Sequence, residues 1–299
     1  MPHIRIVTDS TADLSAEQIE RHDISVVPVL VSFGSQTYQD GVDLDREEFY
    51  HKLTTESDMP KTSQPSPASF AEVYKRLSQT AETILSIHIS GKLSGTLNSA
   101  IAASHMVGAK VFPVDTRTAS QGVARSVLIA AEAVRRGLAV DEILAVLRES
   151  VSSTFSVFAV DTLEYLRRNG RIGRAAALLG SILQLKPILY ADSEGMVAAY
   201  DKVRGRSQVI PRLVAAAKEN IAPGSTVNLS VVHSGPEDQA RALLAKLAEV
   251  FQIAEHHIGM VGPAIGAHIG PGCIGLMIQP TFEALQAQAA SRATSVATT

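Results

Sequence analysis

One cysteine, no tryptophan and few aromatic residues set the first limits on this 299-residue sequence. The single cysteine, Cys273, excludes an intrachain disulfide and any metal site built from several cysteines, and it fits a reducing compartment. With 5% aromatic residues and a net charge of -3, we expect neither a base-stacking surface nor general electrostatic attraction to nucleic acid. The composition therefore predicts a cytoplasmic protein that does not bind nucleic acid.

Long apolar runs are also missing. No run approaches the roughly 20 residues that cross a bilayer, and residues 1–7 have the form of a short strand rather than a signal peptide. We therefore expect no integral membrane segment. The composition, 45% hydrophobic and 19% charged, is that of a globular protein, and the length suits two domains of ordinary size.

The first half of the chain alternates apolar, β-branched runs with amphipathic helical patterns. This alternation favours a largely parallel sheet covered by helices on both faces. We therefore predict an α/β fold with two domains, the N-terminal one spanning residues 1–155. Within that domain, residues 24–31 form one strand pattern in which Pro28 indicates an edge or a bulge.

The second half mixes two kinds of strand connection. Two β-rich runs, 186–190 and 196–200, flank a glycine-containing turn and predict a hairpin, while later runs alternate with helices. This combination predicts a C-terminal α+β domain with a mixed sheet over residues 156–280. Residues 281–299 are rich in Ala, Gln, Ser and Thr, and we expect a tail that is partly helical or disordered.

The stretch from Ser90 to Thr96 is a hydroxyl- and glycine-rich turn between a predicted buried strand and a predicted helix. Glycine lets backbone N–H groups approach a ligand, and the first turn of a helix leaves N–H donors unpaired, so the turn can bind an anion. Alternatively, Ser94 or Thr96 simply caps the helix.

Other polar stretches also flank predicted strands and helices. Asp9 and Asp13 follow the first strand and either face a ligand at its carboxyl end or order a tight turn. Thr62 and Ser63 precede a helix that begins at Pro67 and are candidates to meet Ser94 in space.

An arginine-rich segment and a glycine-rich segment complete the set of candidate sites. Residues 167–174 contain four arginines, which form either a solvated basic turn or a docking patch for an acidic partner or phosphate. Residues 262–272 read as an apolar loop with four glycines, two prolines and one histidine. That histidine, His268, either pairs with a carboxylate, acts as a base near neutral pH, or has a structural role.

Seven of these stretches, taken in order from residue 3 to about 280, together resemble the DegV family of bacterial fatty-acid-binding proteins. The stretches are Thr8–Ser10, Thr62–Pro65, Ser90–Thr96, Leu163–Gly173, Lys202–Arg206, His233–Pro236 and Gly262–Gly272.

This resemblance implies a two-domain protein that holds one long-chain fatty acid of the palmitate, stearate or oleate class. It implies an apolar tunnel for the acyl chain and a carboxylate held by two hydroxyls and a histidine. These positions correspond to Thr62, Ser94 and His268, with Ser63 and Gly95 alongside. It implies no cofactor.

The resemblance also implies a partner. Some family members present the bound acid to the ATP-binding subunit of a fatty-acid kinase, which phosphorylates the carboxylate to an acyl phosphate. A protein of this kind is a lipid-binding subunit without turnover of its own. Arg171 and Arg204 are then the residues expected to face the partner or the phosphate.

Two other functions remain open from the residues. A stand-alone serine hydrolase or acyltransferase would use Ser94, His268 and an acid such as Asp9 or Asp115, although no glycine lies two residues before Ser94 as in a nucleophile elbow. An enzyme acting on a phosphate ligand is a third hypothesis, but no Walker or dinucleotide-binding fingerprint is present.

Overall fold

The structure, a computed structural model, describes residues 3–179 and 185–297, with side chains as far as residue 294. The first two residues of the predicted first strand and the last two of the predicted tail lie outside this description. In chain order, strands β1 to β13 span Ile4–Asp9, Ile24–Val27, Leu30–Phe33, Gln36–Gln39, Lys61–Ser63, Thr83–His88, Lys110–Asp115, Phe155–Ala159, Leu185–Ala191, Val197–Arg204, Thr226–His233, Gln252–Met260 and Ile274–Pro280. Helices α1 to α11 span Ala16–Arg21, Arg46–Thr55, Pro67–Leu77, Thr96–Ser104, Gln121–Arg135, Val140–Ser153, Glu164–Arg168, Val209–Asn220, Glu237–Ala248, Pro263–Ile269 and Phe282–Ala297.

A four-stranded parallel sheet, in the order β2-β1-β6-β7, forms the centre of the first half. Neighbouring residues of each strand face opposite sides, so Ile6 and Leu85 pack with α5 and α6 while Val7 and Ile84 pack with α3 and α4. Because helices cover both faces, β6 is buried along its whole length. The predicted parallel α/β layer is confirmed.

A small antiparallel sheet, in the order β4-β3-β5, lies beside this layer. It corrects the prediction of one strand over residues 24–31, because β2 belongs to the parallel sheet and β3 to the small one. The break falls at Pro28, which has no N–H to donate to a neighbouring strand. The change of sheet brings β5, with Thr62, alongside β3.

A six-stranded mixed sheet, in the order β10-β9-β8-β13-β11-β12, forms the second half. The predicted hairpin is β9–β10, and β11 pairs with β12 in parallel while the remaining neighbours are antiparallel. Helices α8 and α9 cover one face. The opposite face of this sheet faces the carboxyl ends of β1, β6 and β7. The cavity described below lies between them.

The end of the chain returns to the first half. Helix α11 packs against α6, because Phe282, Leu285 and Ala289 are buried in the same core as β1 and α5. The segment predicted as a partly helical or disordered tail, residues 281–299, is therefore helical through Ala297.

Residues 262–272 correct a second expectation. The predicted apolar loop contains a short helix, α10, with Gly262 as its N-cap and Pro263 in its first turn. The helix ends at Gly270, whose φ of +70° lies in the region that favours glycine. His268 is thus presented from the last turn of a helix rather than from a loop.

Candidate functional site

An apolar cavity lies between the four-stranded parallel sheet and the six-stranded mixed sheet. Thr11, Ile89 and Thr118 line it from the carboxyl ends of β1, β6 and β7, while Phe158 and Met277 line it from the six-stranded sheet. It encloses about 1000 Å³ of space free of protein atoms, its opening included. Such a narrow, mostly apolar space between two sheets suits an apolar ligand with a few polar contacts.

Five of the polar side chains in this lining come from four separate segments: Thr62, Gln64, Ser94, Arg171 and His268. Hydrogen bonds from side chains to backbone carbonyls tie three of these segments together. The Arg171 Nε–H donates to the Leu93 carbonyl at 3.2 Å, and the Asn169 amide donates to the Ala267 carbonyl at 2.9 Å. The structure therefore brings together the hydroxyls, the histidine and one arginine that the sequence singled out.

Thr62 and His268 form the central pair of this group. The Thr62 hydroxyl and His268 Nε2 are 2.8 Å apart, while Nδ1 is buried and has no hydrogen-bond partner among the described residues. If Nδ1 carries the proton, Thr62 donates to Nε2 and the Nδ1–H stays unpaired. If Nε2 carries it, Nε2 donates to Thr62 and the threonine O–H stays unpaired. In either tautomer the pair retains one donor for a ligand.

Burial lowers the pKa of His268 to about 4, and the positive charge of Arg171 acts in the same direction. We expect an NMR titration of the ligand-free protein to find this imidazole neutral at pH 6, with the signal identified by its loss in His268→Gln. Because the folded-state pKa lies below the ordinary value of 6.5, the stability that His268 contributes is complete above pH 6.5 and is lost as the pH falls toward 4. A midpoint near 6.5 would contradict this environment.

Ser94 lies in the turn before α4. Its Oγ accepts the Thr96 N–H at 3.2 Å and lies 2.8 Å from the Thr96 hydroxyl, so when Thr96 donates, the Ser94 proton is free for a ligand. The N-cap of α4 is Gly95, which forms no side-chain cap. Among the described residues, Ser94 and His268 are not hydrogen-bonded to each other, so this geometry favours ligand binding over a serine nucleophile activated by histidine.

Arg171 supplies the positive charge. Its guanidinium donates to the carbonyls of Leu93 and Asn169 but forms no ion pair with any carboxylate in the described part of the chain. A half-buried cation held only by neutral acceptors favours an anionic ligand, because an unpaired charge is costly to remove from water. The sequence placed Arg171 at a partner- or phosphate-facing surface, and the structure places it in the cavity wall.

The other predicted residues lie around this group. Ser63 is exposed on β5, and Gly95 is packed against the amide of Gln64, where an added Cβ would be 2.9 Å from its nitrogen. Arg204 is exposed at the end of β10 and is not among the described residues that line the cavity. Gln64 was not predicted as a site residue, although it lies two residues after Thr62 in the same stretch.

Two buried carboxyls hold the helix that carries His268, and their role was not predicted. Asp13 accepts the Gly262 N–H at 2.9 Å, and Asp40 accepts the Ala264 N–H, so both engage the first turn of α10. Burial raises the pKa of Asp13 to about 6 and that of Asp40 to about 7. For Asp40 the nearby Asp13 carboxyl adds to this rise, whereas Arg46 opposes the rise in both.

A serine, a histidine and an aspartate do form a hydrogen-bonded series elsewhere. Asp9 lies 2.8 Å from His88 Nδ1, and His88 Nε2 lies 2.6 Å from the Ser86 hydroxyl, which also contacts Tyr74. All four side chains are fully buried. Because Ser86 has no exposed surface that a substrate could contact, the series serves to satisfy polar groups within the core.

Two kinds of feature are absent from the described residues. In residues 3–179 and 185–297, no group of three or more His, Cys, Asp or Glu side chains is placed to hold a metal ion. Over the same residues, no helix has the length and apolar character that a membrane span requires.

Comparison with known proteins identifies relatives over nearly the same length. A model of the DegV family, described as a family of uncharacterised proteins, matches residues 3–281. A DegV domain-containing protein of Deinococcus radiodurans is 40% identical over 281 residues, which cover 93% of this chain and 98% of that protein.

Two solved structures are similar to this one and are described as binding fatty acids. One is a DegV family protein from Thermus thermophilus, with 37% identity and a TM-score of 0.90, covering 94% of this chain and 100% of that chain. The other is a stearic acid-binding protein from Eubacterium ventriosum, with 26% identity and a TM-score of 0.86, covering 94% and 99%. By family model, sequence identity and fold, the chain belongs to the DegV family.

Proposed function

We propose that this protein binds one long-chain fatty acid, with the acyl chain in the apolar cavity and the carboxylate beside Thr62, Ser94, His268 and Arg171. The observation that carries the proposal is Arg171, which has no carboxylate partner among the described residues and lines an apolar cavity where Ser94 and the Thr62–His268 pair each keep a donor. The fatty acids bound by the Thermus and Eubacterium relatives support the ligand class.

The acyl chain and the carboxylate of a fatty acid match the apolar and the polar part of this cavity. A chain of about 15 methylenes, at about 0.8 kcal/mol each, contributes on the order of 12 kcal/mol before ordering costs are subtracted. The carboxylate loses several kcal/mol of hydration, which the Ser94 hydroxyl, the one donor left by the Thr62–His268 pair and the Arg171 guanidinium offset. His268 is neutral near pH 7, so within this group of residues it is Arg171 whose positive charge balances the negative charge of the carboxylate.

We further propose that the bound acid is presented to the ATP-binding subunit of a kinase, which phosphorylates it to an acyl phosphate. The exposure of the polar end of the cavity supports this role, because a partner must reach the carboxylate there. Ser63 and Gln64 beside it are exposed, and Ser94 and Arg171 are only half-buried. In this role the protein has no turnover alone and works in the cytoplasm, where its partner finds ATP. Arg204 is then available on the surface for the partner.

Native mass spectrometry of the purified protein, followed by lipid extraction, tests the binding proposal. We expect one added mass matching a long-chain fatty acid. Thr62→Val should weaken palmitate binding about tenfold, because the variant loses the hydroxyl and leaves His268 Nε2 unpaired. Thr54→Val, which removes an exposed helical hydroxyl, is the matched control. Ligand-free protein that takes up neither palmitate nor oleate would refute the proposal.

The serine hydrolase remains the alternative, and Ser94 decides between the two. A serine-reactive phosphonate should leave Ser94 unlabelled if the protein is a carrier. Covalent labelling of Ser94 that is lost in His268→Gln would instead identify a nucleophile and its base.

A further inference from the structure

A second depression adjoins the apolar cavity. It is a groove between α6, the end of β7 and the β9–β10 hairpin, with about 1710 Å³ of free space that includes open solvent. Leu147, Val151, Phe155, Tyr190 and Tyr200 give it an apolar side. The groove therefore offers a surface on which an alkyl chain could continue.

Three residues line both the cavity and the groove: Thr118, Ser156 and Ala191. All three side chains are small, and those of Thr118 and Ser156 are nearly buried, with 6% and 7% exposed. Neither hydroxyl forms a hydrogen bond to any residue in the described part of the chain. We call these three residues the partition, because a single layer of side chains separates the two spaces.

The partition lies away from His268. Ser234 accepts the Cys273 N–H and donates to the Gly270 carbonyl, so the end of α10 is held at the start of β13. Cys273 and Met277 both line the cavity, and four residues of strand place them about 13 Å apart. Ser156 is the cross-strand partner of Met277. The cavity thus extends from the His268 end toward Ser156.

The partition is also held in place from the other side. The Ser90 hydroxyl donates to the Gly195 carbonyl at 2.8 Å, and the Ser90 N–H donates to the Thr118 carbonyl at 2.9 Å. Gly195 fits against Ser90 and Arg117 so closely that an added Cβ would overlap both. The tip of the hairpin is therefore fixed to the first half, and Ala191 and Thr118 keep their positions around the end of the cavity.

We propose that the partition sets the longest acyl chain that the cavity accepts, with Ser156 as the main length-determining residue. This inference rests on the proposed fatty-acid binding and adds to it the position where the methyl end stops. A larger side chain at Ser156 or Ala191 fills the space of the last methylenes. A smaller one at Ala191 opens the cavity to the apolar side of the groove, so that longer chains continue into it.

Competition among saturated acids tests the proposal. Delipidated protein is loaded with an equimolar mixture of laurate, myristate, palmitate, stearate and arachidate, and the bound acids are extracted and quantified. For Ser156→Leu we expect the stearate-to-myristate ratio to fall about tenfold, the effect of excluding about two methylenes. For Ala191→Gly we expect the arachidate fraction to rise.

Ser193→Leu is the matched control, because it adds the same atoms at an exposed position that lines the groove but not the cavity. We expect it to keep the wild-type distribution. Ala191→Val provides the same filling effect if Ser156→Leu does not fold. An unchanged distribution in the folded filling variants, with acid still bound, would overturn the role of the partition. A wild-type protein that binds none of the five acids would overturn the proposed function itself.

Discussion

Arg171→Met should weaken fatty-acid binding about 100-fold. Methionine keeps most of the length and apolar volume of the side chain but removes the positive charge from a cavity whose other donors are neutral. A hydrogen bond to a charged group contributes about 1.5–3 kcal/mol, and the buried carboxylate would lose its counter-charge as well. Isothermal titration of delipidated protein with palmitate measures the change directly.

Arg168→Met is the control for this experiment. It removes the same charge from the same segment, but Arg168 is exposed and pairs with Glu164. We expect its affinity to stay within twofold of the wild type. Arg171→Lys, which keeps the charge and loses the fork of donors, should recover part of the binding.

The Arg171 variant also separates two roles. Normal palmitate affinity combined with lost phosphorylation by the partner kinase would contradict the cavity role. It would support instead the partner-facing role that the sequence suggested. Lost affinity in Arg171→Met and not in Arg168→Met supports the carboxylate site.

Asp40→Asn should remove much of the pH dependence of stability between pH 4 and 8. Burial raises the pKa of Asp40 from 3.8 to about 7, a change of about three units. A carboxyl whose folded-state pKa is raised stabilises the fold fully below its unfolded pKa, and this stability is lost as the pH rises through 7. At about 1.36 kcal/mol per unit, the variant should gain on the order of 4 kcal/mol at pH 8 relative to pH 4.

Urea unfolding at both pH values measures this gain. Asp43→Asn is the control, because Asp43 is an exposed residue of the same turn and also accepts a backbone N–H. The opposite pH trend of His268 is common to all three proteins and cancels in the comparison. Equal pH profiles for Asp40→Asn and the wild type would show that Asp40 ionises in the fold without cost.

Local signals in the sequence predicted much of the fold, because they act over a few residues. Ser66 caps the helix that was predicted to begin at Pro67, and Ser15 and Gln18 form a capping box at the three-residue spacing typical of that motif. The buried run of β6 and the hairpin of β9 and β10 follow from equally local patterns.

Helix α10 could not be predicted in this way. Gly266 inside the helix is a poor helix former, and the glycines and prolines around it are typical of a loop. The helix is stabilised by contacts from distant segments: Asp13 and Asp40 at its first turn, and Phe49 and Tyr50 against Gly266. An added Cβ at Gly266 would lie 2.6 Å from a carbon of the Phe49 ring. The tertiary contacts therefore outweigh the local preference.

The candidate site depends on the same kind of long-range contact. Thr62 and His268 are 206 residues apart in the chain, so their hydrogen bond was not visible in any spacing. Arg171 looked like one of four arginines in a basic turn, and only the fold shows that Arg174 has carboxylate partners while Arg171 lines a cavity. The sequence suggested the residue types, and their association required the structure.

The return of α11 to the first half has a topological consequence. The chain passes from α6 into β8 near residue 155 and from β13 into α11 near residue 281. The two crossings run side by side, because Phe155 pairs with Ile278 and the Gln279 amide donates to Ser150 and Thr154. The six-stranded half is thus an insertion whose entry and exit form one double-stranded hinge. Any rotation of one half against the other must bend both strands of this hinge together.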